Sequence, residues 1–270
     1  MFRLPIRYFR FLSFLLISLA PAASAWSYSP EQTAMAWVTA LKRNDVKAAL
    51  LLGTTPEEYL KVRADLADEY KDTPESNTAF AAQFNLLLAP EAEQRIFALV
   101  QPLLSQANNY RGSMAGLGHG MLEAWTDPEA PEQITPEQAA AALEVLKAFE
   151  NWAGRTDFSD PARAKVAINA VVTTFRTANV RSARDWAQLS DDARISKLNY
   201  LLIAVKAACR AYDLNLDNLL GSITAAPGTQ SLDHAEVRIA YKVFEARGSS
   251  KIDMYERQGE WFFWQDSPVR

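Results

Sequence analysis

The chain offers few residues for acid–base or metal chemistry, because it contains only two histidines, His119 and His234. Neither lies in a His-Glu-X-X-His pattern or pairs with another histidine at helical spacing, so the sequence predicts no zinc hydrolase site. His234 follows Asp233 where a loop enters a strand, and a histidine near a carboxylate can act as a general base. A hydrolase that uses His119 or His234 with a carboxylate is therefore kept as the alternative function.

The segment 111–120 contains four of the ten glycines, which raises the question of a phosphate-binding loop. Such a loop needs a Lys-Ser/Thr pair after its last glycine, whereas Met121 and Leu122 follow here. Ser113 is not flanked by the glycines of a nucleophile elbow either. The spacing of Gly112 and Gly120 therefore favours close helix packing or a loop over catalysis.

The strongest candidate for ligand binding is the run of four aromatic residues from Trp261 to Trp264. In a strand, successive side chains point to opposite faces, so each face receives two of these rings. Alternation fixes only that the two pairs differ, and we take Phe262 and Trp264 to pack against helices while Trp261 and Phe263 line a groove or contact site. Tyr241 on a preceding strand is included as a further candidate binding residue.

Helix starts are marked by a hydroxyl residue followed by proline and glutamate, which combine an N-cap, a preferred first residue and a favourable charge. Four segments have this pattern: Ser29-Pro30-Glu31, Thr55-Pro56-Glu57, Thr73-Pro74-Glu75 and Thr135-Pro136-Glu137. Asp160 and Ser190 predict two further starts. Between the starts, apolar residues recur every three or four positions, as from Ile195 to Tyr212 with Cys209 on the same stripe.

The periodicity changes to two near the C-terminus. Apolar and charged residues alternate from Ala235 to Ala246, which predicts a strand with one solvated face. Turns at 248–250 and at 258–259 lead into strands at 251–257 and 260–264, so the prediction is a three-stranded antiparallel meander. The expected fold class is α+β, with about nine helices forming a body on which the meander packs.

The first 25 residues have the organisation of a cleavable secretory signal. Arginines at 3, 7 and 10 precede the apolar run 11–19, and Ala23-Ser24-Ala25 supplies the small residues that a signal peptidase requires. The run is shorter than the ~20 residues of a membrane span. We expect a mature chain that begins at Trp26 and lies in a bacterial periplasm, with no stable membrane anchor after cleavage.

Composition excludes several classes of function. Loss of the three signal arginines changes the formal net charge from −4 to about −7. An acidic chain without a basic stripe is a poor candidate for nucleic acid or anionic lipid headgroups. The single cysteine, Cys209, excludes an internal disulfide, and its apolar surroundings favour a buried, inert thiol. No cofactor or metal is expected.

The mature chain divides at a proline-containing connection, 127–135, into a helical half, 26–126, and a second half, 136–270, that ends in the meander. The two halves are expected to form one compact unit. Segments 36–49 and 170–183 align with five identities, and both are typical of helix–turn–helix. Duplication of an ancestral unit and chance similarity both remain open explanations.

Residues at both ends of the chain resemble the NTF2-like superfamily of small exported bacterial proteins. The matching residues are 29–31, 36–37, 40–41, 45 and 48–49 at the start, and 237–244 and 259–263 at the end. The resemblance implies helices packed in the concavity of a curved antiparallel sheet, and a pocket between the meander and the first helix. Residues 56–222 depart from it, since they are typical of helices where the family has further strands.

Together these observations favour a non-enzymatic function. The sequence predicts an exported envelope protein that binds an apolar small molecule, a peptide or another periplasmic protein. The reasons are the lack of a catalytic motif and the surplus of aromatic residues at 261–264.

Overall fold

A computed structural model describes residues 28–68, 81–82, 84–107 and 136–263 of the chain. The helices are α1 (Pro30–Lys42), α2 (Val46–Gly53), α3 (Pro56–Asp68), α4 (Ala92–Ala107), α5 (Pro136–Arg155), α6 (Pro161–Thr177), α7 (Ala183–Gln188), α8 (Asp191–Ala211) and α9 (Leu216–Ser222). The strands are β1 (Thr224–Gln230), β2 (His234–Val243), β3 (Ala246–Arg257) and β4 (Glu260–Phe263). A helical body followed by a C-terminal antiparallel sheet confirms the α+β class. Within the described ranges, no helix combines the length and apolarity needed to cross a membrane.

The predicted helix starts are confirmed wherever the structure describes them. Ser29 caps α1 through a reciprocal pair of hydrogen bonds with Gln32, at 3.0 and 3.3 Å. Thr55 and Glu58 form the same capping box at the start of α3. Asp160 and Ser190 are the N-caps of α6 and α8, and α5 begins at Pro136. The start predicted at Thr73 and the connection 127–135 lie outside the described residues.

The sheet has four strands in the order β1-β2-β3-β4, so the prediction of three was wrong. The missed strand, β1, contains Pro227 and Gly228, and its register shifts between Pro227 and Gln230. Because proline lacks the N–H that a residue of an inner strand donates, Pro227 and Gly228 indicated a loop. An edge strand tolerates proline because one side of its backbone has no strand to pair with.

The first turn of the hairpin was also placed wrongly. Val243 pairs with Ala246, so the chain reverses at Phe244 and Glu245, not at 248–250. Gly248 lies inside β3 opposite Tyr241, and a Cβ at this position would lie 2.4 Å from Cε2 of the Tyr241 ring. The glycine therefore provides room for an aromatic side chain, which sequence reading mistook for a turn signal.

The main core lies between the helices and one face of the sheet. Val237 and Ile239 of β2 and Met254 of β3 are buried together with Trp37 and Leu41 of α1. Alternate residues of β2 are exposed, as the period of two predicted. Each fully buried aliphatic side chain contributes about 1.5–3 kcal/mol, so this face dominates the attachment of the sheet to the helices.

Helix α8 supplies polar side chains that complete the hydrogen bonding at the ends of four other helices. Lys206 donates from Nζ to the carbonyl oxygens of Leu41 and Lys42 in the last turn of α1, at 2.8 and 3.2 Å. Asn199 Oδ1 accepts from the N–H of Val46, the first residue of α2, at 2.8 Å. Backbone groups at helix ends lack intrahelical partners, and buried ones must find them elsewhere.

The other two ends belong to α6 and α7. Lys197 Nζ donates to the carbonyl of Ala178, the C-cap of α6, at 2.5 Å. The guanidinium of Arg194 donates to the carbonyls of Trp186 and Ala187 in the last turn of α7, at 3.2 and 2.7 Å. Positive side chains at these C-terminal ends also face the negative end of each helix dipole.

The Lys206 side chain is only 4% exposed, and its ammonium forms an ion pair with Asp217 of α9 at 2.7 Å. Replacing Lys206 by Met removes the donor to the Lys42 carbonyl and the buried partner of Asp217, and leaves the Leu41 carbonyl with the N–H of Asn44 at 3.1 Å. We expect the free energy of unfolding in urea to fall by about 1.5–3 kcal/mol, the range for hydrogen bonds to charged groups.

The matched control is Arg210→Ala, because Arg210 binds the same Asp217 at 2.9 Å with a side chain that is 58% exposed. An exposed ion pair contributes about 0–1 kcal/mol. Equal losses of unfolding free energy in the two variants would show that the buried hydrogen bonds of Lys206 contribute no more to stability than the exposed ion pair of Arg210.

Candidate functional site

The aromatic residues of β4 are part of the core. Trp261, Phe262 and Phe263 are 9%, 1% and 6% exposed. Phe263 lies opposite Met254 on the core face and meets the Trp37 ring edge-on, with 5.4 Å between centroids. The expectation that Trp261 and Phe263 line a groove while Phe262 faces the helices was therefore wrong, and Trp264 lies outside the described residues.

Phe262 is buried on the opposite face of the sheet, beside Tyr255 of β3 at 5.8 Å between centroids. Burial, with a smaller contribution from the nearby carboxylate of Glu58, raises the pKa of Tyr255 to about 12. Both faces of β4 are thus covered, and the four-residue run does not present a free aromatic surface among its described members.

Tyr241, the fifth candidate binding residue, is half-buried on the core face of β2. Its ring lies over Gly248 and packs against the core cluster. Burial raises the pKa of its hydroxyl above the ordinary value. Tyr241 therefore serves the packing of β2 on β3.

The structure brings His234 close to a carboxylate, that of Asp253 on the neighbouring strand. His234 Nε2 and Asp253 Oδ1 are 3.3 Å apart, on side chains that are 43% and 56% exposed. The Asp233 carboxylate accepts a hydrogen bond from Ser231 Oγ at 3.4 Å, and its main-chain carbonyl accepts from the N–H of Glu256. A histidine–carboxylate pair is part of a general-base arrangement, although at this exposure it equally suits a cross-strand ion pair. His119 lies outside the described residues.

Two further expectations concern metal and thiol chemistry. Across the described part of the chain, no three His, Cys, Asp or Glu side chains gather in a geometry that could hold a metal ion. Cys209 is partly buried on α8, and burial raises the pKa of its thiol. A raised pKa disfavours the thiolate, which is the reactive form.

A group of aromatic side chains that the sequence analysis did not single out lies where α5, the end of α8 and the β2–β3 turn meet. We call this group the aromatic cluster, and its members are Phe149, Trp152, Phe158, Tyr212 and Phe244. Successive ring centroids are 5.3–6.2 Å apart. Phe244 stacks on Trp152 with an angle of 21° between planes, and Phe158 stacks on Tyr212 at 26°.

Trp152 is fixed at the centre of the aromatic cluster. Its Nε1 donates to the main-chain carbonyl of Tyr212, at 2.7 Å. The buried polar atom of the indole is thereby satisfied, and the ring plane is set for stacking. The pKa of Tyr212 is raised, first by burial and then by the nearby carboxylate of Asp160.

Phe244 is the most unusual member. It occupies the first turn position of the β2–β3 hairpin with φ of 52°, and it is 37% exposed. A bulky residue in the left-handed region is strained by about 1–3 kcal/mol, and asparagine or glycine is the usual choice there. Strain at an exposed aromatic residue is typical of positions retained for function.

The sequence held only part of the signal for the aromatic cluster. Phe149 and Trp152 fall on the apolar stripe of α5, but that stripe does not show which rings from other elements meet them. The sequence placed Phe244 inside a longer strand and not in a turn, because the turn was predicted at 248–250. Sheet register was therefore needed to place it.

No protein-family model, curated protein or solved structure matches the chain. The NTF2-like resemblance accordingly stays a proposal.

Replacing Trp261, Phe262 or Phe263 by Ala should lower the free energy of unfolding by about 3–5 kcal/mol in each case, because all three are core residues. Phe244→Ala is the comparison, since it removes a partly exposed ring that contributes about 0.5–1.5 kcal/mol by stacking. Urea unfolding of the four variants measures this. A loss below about 1 kcal/mol for any β4 residue would contradict the assignment of both faces to the core.

Proposed function

We propose that the chain is an exported, non-enzymatic binding or accessory protein of the bacterial envelope. Its partner is an apolar small molecule, a peptide or another periplasmic protein. The binding residues are those of the aromatic cluster, which takes the role first assigned to the aromatic residues of β4.

The observation that carries this proposal is the partly exposed aromatic cluster with the strained Phe244 at its edge. Packing alone does not explain why a turn position that suits asparagine holds a phenylalanine stacked on Trp152. Aromatic side chains at partly exposed, well-supported positions contribute most to binding, because they bury large areas with little loss of side-chain freedom.

The proposed compartment is supported by the sequence of residues 1–25, which lie outside the described part of the structure. The NTF2-like resemblance is supported by the position of α1, which contacts β1, β2 and β4 and carries Trp37 against Phe263. A helix against one face of an antiparallel sheet is what that resemblance implies.

A second candidate function is a periplasmic hydrolase, favoured by the 3.3 Å contact between His234 and Asp253. It ranks below binding because the two side chains are 43% and 56% exposed. A general base works best where burial and neighbours adjust its pKa.

Titration with uncharged N-phenyl-1-naphthylamine tests the aromatic cluster directly. The wild-type protein should enhance the probe's fluorescence, and Phe244→Asn should weaken binding about tenfold, or about 1.4 kcal/mol. Asparagine tolerates positive φ, so the variant should remain folded and even lose backbone strain.

The matched control is Leu60→Asn, which removes an aliphatic side chain that is 59% exposed on α3. Equal loss in both variants, or no loss in Phe244→Asn, would overturn the assignment of binding to the aromatic cluster.

The protein for this titration is taken from the periplasm of a Gram-negative host. Mass spectrometry should give Trp26 as its first residue, whereas a full-length chain kept in the membrane would contradict export.

A further inference from the structure

The solvated face of the β2–β3 hairpin carries four cationic side chains, which we call the cationic strip. Its members are Arg238, Lys242, Arg247 and Lys251, and all four are exposed. The register places Arg238 opposite Lys251 and Lys242 opposite Arg247. Each of these two pairs therefore places two positive charges directly opposite each other on one face of the sheet.

Carboxylates neutralise one of these pairs only. Glu236 forms an ion pair with Lys251 at 2.7 Å and approaches Arg238 at 3.8 Å. In the described part of the chain, no carboxylate lies within ion-pair distance of Lys242 or Arg247. Farther along the same face, His234 Nε2 lies 3.3 Å from Asp253 Oδ1.

This arrangement reduces stability, since like charges directly opposite in an antiparallel pair cost about 0.2–1 kcal/mol. The chain carries an excess of acidic residues, with 32 against 28 basic ones. Chance placement therefore does not favour cations at both positions of a pair. The strip is not evident in the sequence, because uncharged residues and the turn separate its members. The statement that the acidic chain has no basic stripe was therefore wrong for this face.

The shape of the strip indicates what it can bind. The two pairs are separated by four residues along β2, which span about 13 Å. Between them lie Ala240 and Ser249, a small and exposed facing pair that leaves the surface flat. An extended peptide rises by the same amount per residue, so its carboxylates four residues apart can reach both pairs.

A lipid surface fits the strip less well. Each cation near an anionic bilayer contributes about 1 kcal/mol, and Glu236 offsets part of that contribution. The remainder of the mature protein is acidic, which opposes approach to such a surface. Four exposed side chains on a strand face also do not enclose a small anion.

We propose that the cationic strip binds an extended acidic segment of a peptide or protein partner. The inference rests on the proposed function in its peptide or protein form. It adds that the partner carries carboxylates beside its apolar contact, because Lys242 and Arg247 flank the turn that holds Phe244.

The test is fluorescence anisotropy of a labelled oligoglutamate peptide with the mature protein at low salt. The wild type should bind, and added salt should weaken binding, as expected for exposed charges. Lys242→Glu should weaken binding about tenfold, or about 1.4 kcal/mol. The same substitution should raise the melting temperature, because the new carboxylate faces Arg247 and replaces a like-charged pair with an unlike one.

Lys61→Glu is the matched control, since Lys61 is exposed on α3 and the change in net charge is identical. Equal weakening in both variants would mean that only net charge matters and would overturn the proposal. Binding to phosphatidylglycerol vesicles without binding to oligoglutamate would overturn it in favour of a bilayer. Lys242→Glu should still bind the uncharged naphthylamine, so failure of this inference is distinguishable from failure of the aromatic site.

Discussion

The need to satisfy backbone groups at buried helix ends governs the organisation of the helical body. Every helix leaves about four N–H groups and four carbonyls without partners inside it, and water cannot reach those that pack against a neighbour. Helix α8 answers this constraint with the side chains of Arg194, Lys197, Asn199 and Lys206. The end of α8 is itself completed by Arg163 of α6, which donates to the carbonyl of Ala211 at 3.1 Å. Apolar burial supplies most of the stability, while these contacts determine where each helix stops against its neighbours.

The same contacts determine where the sheet and the aromatic cluster lie. Lys206 pairs with Asp217 in the first turn of α9, and α9 ends at Ser222, with only Ile223 between it and β1. Ser222 Oγ accepts from the N–H of Lys242 at 2.8 Å, which ties α9 to the hairpin end of β2. Tyr212, the C-cap of α8, accepts from Trp152 and so orients the ring on which Phe244 stacks. A strained aromatic turn residue is thus held by a rigid frame, which is the usual condition for strain to persist.

Local chemistry explains which parts of the fold were predictable. The caps at Ser29, Thr55, Asp160 and Ser190 act within three residues, so the sequence contains all that is needed to recognise them. The alternation along β2 is equally local. Gly248 and Pro227 were predicted wrongly because their roles depend on a neighbouring strand. Gly248 makes room for Tyr241, and Pro227 is tolerated because β1 is an edge strand.

The candidate site was less predictable than the fold for the same reason. The β4 aromatics stood out as candidates for a free aromatic face, but only packing shows that both faces of that strand are covered. The aromatic cluster and the cationic strip are assembled from elements whose pairing is not encoded in local spacing. Lys206 gave no signal either, since a lysine between apolar residues of a helix is ordinarily solvated.

A double-mutant cycle between Asn199→Ala and Lys206→Met tests most directly whether α8 positions the other helices by capping their ends. Asn199 caps the start of α2 and Lys206 the end of α1, so both hold the same turn between those helices. If either cap is lost, the turn should loosen and the second cap should contribute less. We therefore expect a combined loss of unfolding free energy that is smaller than the sum of the single losses by at least about 0.5 kcal/mol. Losses that add within about 0.3 kcal/mol would show two independent contacts and would contradict it.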